Sequence, residues 1–203
     1  MSLFSAASPR GRRALAAALV AGAALLAPAV GAHAATSGNT TSTITVNPGT
    51  LSLTAPASAT FPAVTLTGAQ QTSAFTIAPI GVVDARGTGV GWTLSAQAAD
   101  FATGSGAGAH YIAFTNLTVG NSAPTATDSS SSPASGITQA TAAPLSGADT
   151  TPGTTVSSAG ALLTAPANQG LGSYNESSPD TLKVPASTYG GATYSTTIVF
   201  QVQ

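Results

Sequence analysis

The chain has 203 residues, of which 43% are hydrophobic, 5% are charged and none is cysteine. Charged residues make up about 25% of ordinary globular proteins, and disordered chains combine low hydrophobicity with high charge. The composition therefore predicts a folded chain whose surface is made polar by Ser and Thr hydroxyls, and it excludes disulfide bonds.

Residues 1–34 have the features of a secretory signal. Basic residues within 10–13 precede an apolar run over 14–30, and Ala-His-Ala follows at 32–34. A basic head, an apolar middle and an A-x-A sequence are typical of a signal that is cleaved after the last alanine. A membrane anchor is the alternative, but the run is shorter than the ~20 apolar residues that a span needs, and a proline interrupts it. We predict a secreted mature chain, residues 35–203, without an integral membrane span.

The mature chain is acidic and has almost no cations. It keeps Arg86 and Lys183 against six acids, which gives a formal net charge of −4. Nucleic acids and anionic membranes are bound through clustered Lys and Arg, so neither is an expected partner. We expect no cofactor, and recognition that depends on shape, stacking and hydroxyl hydrogen bonds.

Short runs of alternating apolar and polar residues recur along the chain between Pro, Gly and Asn. Strict alternation predicts half-buried strands, and no stretch after the signal has helical periodicity. Many short strands with Gly/Pro turns indicate an all-β fold, a single antiparallel β-sandwich or barrel-like domain. The runs are TITVN (43–47), LSLT (51–54), AVTLT (63–67), AFTIA (74–78), YIAFTNLTV (111–119), TLKV (181–184) and TYSTTIVFQVQ (193–203).

Residues 121–160 break this pattern because nearly all of them are small or polar. Such a Ser/Thr/Pro/Gly-rich composition is typical of a long loop. We predict a flexible insertion within one domain, with at most a weak strand around Ile137.

The segment DARGTGVGWTLSAQA contains the only tryptophan of the chain. Alternation places Trp92 and Leu94 on one face of a strand. Asp84 and Arg86 are two residues apart, so they share a face of an extended chain and are able to pair. The glycines between them and Trp92 permit a tight turn or a bulge.

The last strand repeats the aromatic-x-aliphatic pattern in Phe200 and Val202. Burial of a large apolar side chain contributes about 1.5–3 kcal/mol, so Trp92 is predicted to be a core residue near the Phe200 strand. A ligand-facing tryptophan is the alternative.

The sequence offers little support for catalysis. His110 is the only histidine of the mature chain, and there is no G-x-S-x-G, no H-E-x-x-H and no Cys/His cluster. Asp84, Asp100, Glu176 and Asp180 could supply a carboxylate pair, but surface acids are normally only solvated. We therefore predict a protein that is not an enzyme and has neither catalytic residues nor a metal site.

Several of these residues match a known pattern. Asp84, Arg86-Gly87, Gly91-Trp92 and Leu94 resemble the first motif of WxL-domain proteins, which are secreted by Gram-positive bacteria and associate with the cell wall. Near the C-terminus, Leu-Lys-Val-Pro at 182–185 and Gly-Ala-Thr-Tyr at 191–194 resemble the same family. The second Trp-x-Leu of the family pattern is replaced here by Phe200-Gln201-Val202.

The resemblance implies peptidoglycan binding at the cell surface. The candidate binding residues are those that match or border the two motifs: Asp84, Arg86, Trp92, Leu94, Phe200 and Val202. The alternative is a secreted structural or adhesive subunit that binds another surface protein, for instance by strand addition at a sheet edge.

We expect export to leave Ala35 as the first residue, within one or two positions. Intact-mass measurement of the secreted protein checks this directly. A secreted chain that retains residues 1–34 would contradict the predicted cleavage.

Overall fold

A computed structural model describes residues 38–148, 153 and 155–203. The predicted secretory signal lies outside these residues. Residues Thr45–Gln203 form one compact unit. The described chain is all-β, as predicted. Its strands are β1 (Leu51–Thr54), β2 (Gln71–Asp84), β3 (Trp92–Ala98), β4 (Phe101–Ala102), β5 (Tyr111–Ile112), β6 (Leu117–Val119), β7 (Thr125–Ala126), β8 (Thr138–Gln139), β9 (Ala143–Pro144), β10 (Gly160–Ala165), β11 (Gly172–Val184) and β12 (Ile198–Val202).

The larger sheet is built around two long antiparallel strands, β2 and β11. Its order is β1-β2-β11-β6-β9, and β7 also pairs with β11. β1 pairs with the end of β2, where Leu51 lies opposite Asp84. β2 and β11 stay paired from Gly172 opposite Asp84 to Val184 opposite Gln71. This long pairing forms the backbone of the domain.

The smaller sheet carries the tryptophan strand. Its order is β12-β3-β10-β8, so β3 lies between two antiparallel neighbours. β4 and β5 form a separate two-stranded hairpin. None of these sheets closes on itself within the described chain, so the architecture is sandwich-like.

The two main sheets share one hydrophobic core. Alternation buries every second side chain of β11 from Tyr174 to Val184, and β3 buries Trp92 and Leu94 in the same way. The apolar residues among them, such as Tyr174 and Trp92, belong to a single hydrophobic cluster that includes members of both sheets. The period-2 pattern of the sequence therefore selects the buried faces, as expected for half-buried strands.

One irregularity interrupts the β2–β11 pairing. Between the pairs Glu176–Ile80 and Ser178–Ile77, β11 advances by two residues and β2 by three. The additional residue lies at Ala78-Pro79, and a proline has no N–H to donate to the ladder, so a bulge is the expected accommodation.

Four predicted strands differ from the structure. A 3₁₀ helix at Phe114–Asn116 divides the run 111–119 into β5 and β6. No strand forms over 43–47, where the Val46 side chain is exposed. Residues 63–67 are also not a strand, although Val64 and Leu66 pack against the core. In the final run only Ile198–Val202 is a strand. Alternation alone does not create a strand where the fold provides no neighbour for its backbone.

Residues 121–148 of the predicted insertion contain three short strands, where the composition predicted at most a weak strand around Ile137. β7 pairs with β11, β8 with β10, and β9 with β6. Ile137 and Leu145 are both buried in the core. Two isolated apolar residues suffice to anchor this polar segment because each reaches the core from a backbone that is paired with the main sheets.

Candidate functional site

The Asp84 carboxylate and the Arg86 guanidinium form the predicted pair. Nε of Arg86 donates to Oδ1 of Asp84 at 2.9 Å, and Nη2 donates to Oδ2 at 2.9 Å. The backbone N–H of Arg86 also donates to Oδ1, at 3.1 Å. Two parallel N–H···O bonds are the strongest arrangement of an Arg–carboxylate pair. Asp84 is buried, whereas the Arg86 side chain remains 25% exposed.

This pair closes the loop that leads to the tryptophan. Nη2 of Arg86 also donates to the carbonyl oxygen of Gly91 at 2.6 Å, so one side chain ties both ends of residues 84–91 together. The hydrogen bonds from Arg86 hold the pKa of Asp84 below its usual range, although burial opposes this shift. The carboxylate is therefore ionised and is a poor proton donor.

Gly91 and Gly170 are required on either side of the indole. Gly91 has φ of +78°, and a Cβ there would lie 2.3 Å from the carbonyl oxygen of Ala165. Gly170 has φ of +71°, and a Cβ there would lie 2.6 Å from Nε1 of Trp92. Only glycine combines a positive φ with such close approach. The Gly-Trp pair is thus needed for packing.

Trp92 is a core residue, as predicted, with 3% of its surface exposed. Its Nε1 donates to the carbonyl oxygen of Gly170 at 2.9 Å, and its ring centroid lies 6.2 Å from that of Tyr174 on β11. The Tyr174 hydroxyl lies within hydrogen-bond distance of two backbone carbonyl oxygens, those of Ser132 and Leu171, so the polar groups of both rings have partners within the chain. The faces of the indole are therefore not accessible to a ligand from solvent.

The second aromatic-x-aliphatic pair lies beside the first but is offset along the strands. β12 pairs with β3, so that Val202 lies opposite Leu94 and Phe200 lies opposite Ala96. Leu94 is fully buried, whereas Phe200 and Val202 are only partly buried against the core. The structure therefore brings the two strands together as predicted, and it leaves Phe200 more accessible than Trp92.

Asp84 is not the only buried acid: Asp100, Glu176 and Asp180, which were expected to be solvated, are buried as well. Asp100 accepts hydrogen bonds from the N–H groups of Phe114 and Gly153, both at 2.8 Å. Buried carboxylates need such donors because an unpaired buried charge is costly. Asp100 therefore anchors two loops.

Glu176 and Asp180 have no cationic partner in the described chain and lie on the inward face of β11. Asp180 accepts from the Ser178 hydroxyl at 2.6 Å, and Glu176 accepts from the N–H of Ser122 at 3.3 Å. One oxygen of each carboxyl group has no hydrogen-bond partner. Burial raises the pKa of Glu176 to about 7 and that of Asp180 to about 6. Both groups thus stay protonated to a higher pH in the folded protein than in the unfolded chain.

A cleft of about 970 Å³ enters the domain at the sheet edges formed by β1 and β12. Its floor consists of core side chains such as Ile77 and Phe101, and Phe200 forms part of its wall. Two irregular segments, 55–66 and 188–197, cover it. No sequence pattern predicted this cleft. The segments that cover it either alternate like strands or have the composition of linkers, and neither feature indicates a binding site.

The described residues contain neither a candidate metal site nor a helix that could span a membrane. No group of three or more His, Cys, Asp or Glu side chains there could hold a metal ion. Within the same residues, no helix is long and apolar enough to cross a membrane.

Comparison with known proteins identifies one similarity. A family model described as "WxL domain surface cell wall-binding" matches residues 35–203. Searches of curated proteins and of solved structures returned no match.

We expect Trp92→Ala to lower the free energy of unfolding by about 3–5 kcal/mol, because it leaves a cavity between the sheets. Trp92→Phe should cost less, since it retains one aromatic ring, although it loses the second ring of the indole and the hydrogen bond to Gly170. Val90→Ala, at a residue that is 66% exposed, is the matched control. Denaturant unfolding followed by circular dichroism measures all three, and an unchanged midpoint for Trp92→Ala would refute the structural role.

We also expect stability to fall as pH rises from 5 to 8. The folded state raises the pKa of Glu176 from 4.5 to about 7, so it binds the proton more tightly than the unfolded state does. The resulting stability is fully present below pH 4.5 and is lost as pH rises through about 7. Its magnitude is on the order of 2 kcal/mol.

Glu176→Gln should flatten this dependence and raise stability at pH 8. Asp128→Asn is the control, because Asp128 has a lowered pKa and titrates below this range. Denaturation midpoints of the unmodified protein and of both variants, measured from pH 5 to 8, test this expectation. Equal slopes for the Glu176→Gln variant and the unmodified protein would contradict the assignment.

Proposed function

The chain belongs to the WxL-domain family of surface cell-wall-binding domains, and from this we propose that its ligand at the wall is peptidoglycan, bound without catalysis. The observation that carries the proposal is the extent of the family match, which covers the whole of the predicted mature chain. The wall-binding description of the family therefore covers all of the described fold.

The charges of the chain favour binding that is not ionic. Arg86, one of the two cations after residue 34, is already engaged by Asp84 and by the Gly91 carbonyl oxygen. The other cation, Lys183, is exposed on β11. A single free lysine in residues 35–203, whose formal net charge is −4, offers little attraction to anionic wall polymers. Peptidoglycan, with its uncharged sugar backbone, suits this surface better.

A specific feature supports a second candidate function. β12 is an edge strand of the smaller sheet, and β1 is an edge strand of the larger sheet. An edge strand presents unpaired backbone groups, onto which an extended peptide can add as a further strand. The chain would then act as a secreted structural or adhesive subunit that binds another surface protein.

We expect the secreted, folded chain to sediment with purified peptidoglycan sacculi that carry no protein. Raising the salt concentration should weaken this binding only modestly, because salt screens mainly exposed charge pairs and few are available here. Co-sedimentation at low and high ionic strength measures both effects.

Lys183→Gln provides a matched test, since it removes the one cation that is not already paired. We expect this variant to bind sacculi as the unmodified protein does. A folded chain that ignores sacculi but captures a surface protein would instead support the interaction subunit.

A further inference from the structure

The cleft at the β1 and β12 edges is not occupied by any side chain of the described chain, although its floor belongs to the core. Leu182 and Val184 from the larger sheet and Ile198 and Phe200 from the smaller sheet all line it. Protein interiors are normally close-packed, with few voids larger than a water molecule. A cavity of about 970 Å³ lies at the upper end of the range for small-molecule sites.

The lining of the cleft contains no charged residue. Among the described residues, it consists of aliphatic, aromatic, small and hydroxyl-bearing side chains. The hydroxyls lie at the exposed rim, for example Ser58 and Thr60 on one wall and Thr193 on the other. None of these three side chains has a hydrogen-bond partner in the described chain, so all three are available to a ligand. An apolar floor below a hydroxyl rim suits an uncharged ligand of mixed polarity.

Tyr189 adds an aromatic surface at the rim. Its side chain is 63% exposed although it is large and apolar over most of its area. His110 stacks against one face of the ring, with centroids 3.7 Å apart and planes inclined by 10°. The Tyr194 hydroxyl donates to the backbone carbonyl oxygen of Tyr189 at 3.0 Å. The ring is thus held in place from one side while much of its surface stays open to solvent.

We propose that this cleft binds the glycan strand of peptidoglycan, through its N-acetylated sugar rings. This inference rests on the proposed function and assigns it a location. The C–H faces of sugar rings pack against aromatic faces such as that of Tyr189, which carry the negative side of the ring quadrupole. N-acetyl methyl groups match the apolar floor, and sugar hydroxyls match the Ser and Thr rim.

The lining distinguishes the sugars from the peptide part of the same polymer. Stem peptides carry carboxylates and amines, and burying such charges without partners is costly. No charged side chain lines the cleft to pair with them. The sugar backbone has no such requirement, so it is the part of the polymer that the cleft can accept.

The family motif does not offer a comparable surface. Trp92 is buried and its N–H is already bonded to Gly170. Both charged groups of the motif, Asp84 and Arg86, bond to each other and to the loop backbone. The first motif is therefore assigned to building the fold, whereas binding is assigned to the cleft, whose wall includes Phe200.

The test uses the secreted full chain and two probes, purified sacculi and a soluble β-1,4-linked N-acetylglucosamine oligomer. Tyr189→Ala removes the aromatic platform, and Ser58→Trp fills the cleft from the opposite wall. Both positions are exposed, so the fold should be retained, which circular dichroism verifies. Val90→Ala, in the motif loop, is the control.

We expect both cleft variants to lose about tenfold or more in affinity for the oligomer and to sediment less with sacculi, while Val90→Ala binds normally. Cleft variants that bind sacculi like the unmodified chain would overturn the location and leave the proposed function standing. Binding of the unmodified chain to sacculi but not to the oligomer would overturn the glycan assignment. Failure of the unmodified chain to bind sacculi would overturn the proposed function, and this inference with it.

Discussion

The burial of one indole between two sheets is the interaction on which the domain most depends. Trp92 begins the central strand of the smaller sheet, contacts Tyr174 on the larger sheet, and donates its N–H to Gly170 in the turn before β11. A single side chain therefore connects both sheets and one of their connecting turns. The neighbouring glycines allow the backbone to approach the indole closely. The Asp84–Arg86 pair holds the loop before the indole closed.

The scarcity of charge has a second consequence, inside the protein. Of the five acids in the described residues, four are buried, and only Asp84 has a cationic partner there. Asp100 is stabilised by backbone donors, whereas Glu176 and Asp180 respond to burial with raised pKa values. A surface rich in hydroxyls and buried acids without cationic partners are two results of the same composition.

These features separate the residues that identify the family from those proposed to bind the wall. The motif residues are held by contacts within the chain, so their requirement is structural. The open cleft, in contrast, is covered by two irregular segments, and only one of them, 188–197, includes a stretch that resembles the family, Gly-Ala-Thr-Tyr at 191–194. Binding residues on such segments can vary while the scaffold is maintained, because loops tolerate change better than a packed core does.

The sequence by itself determined the all-β class, the strand that contains Trp92, the Asp84–Arg86 pair and the family. Each of these depends on local alternation, a short spacing or a motif, which are readable along the chain. The tertiary structure alone decided that residues 121–148 pair with the main sheets, that 63–67 is not a strand, and that Glu176 and Asp180 are buried. It also created the cleft, by bringing the 55–66 and 188–197 segments together. The physical reason is that backbone partners and burial are set by residues distant in sequence, which local patterns do not encode.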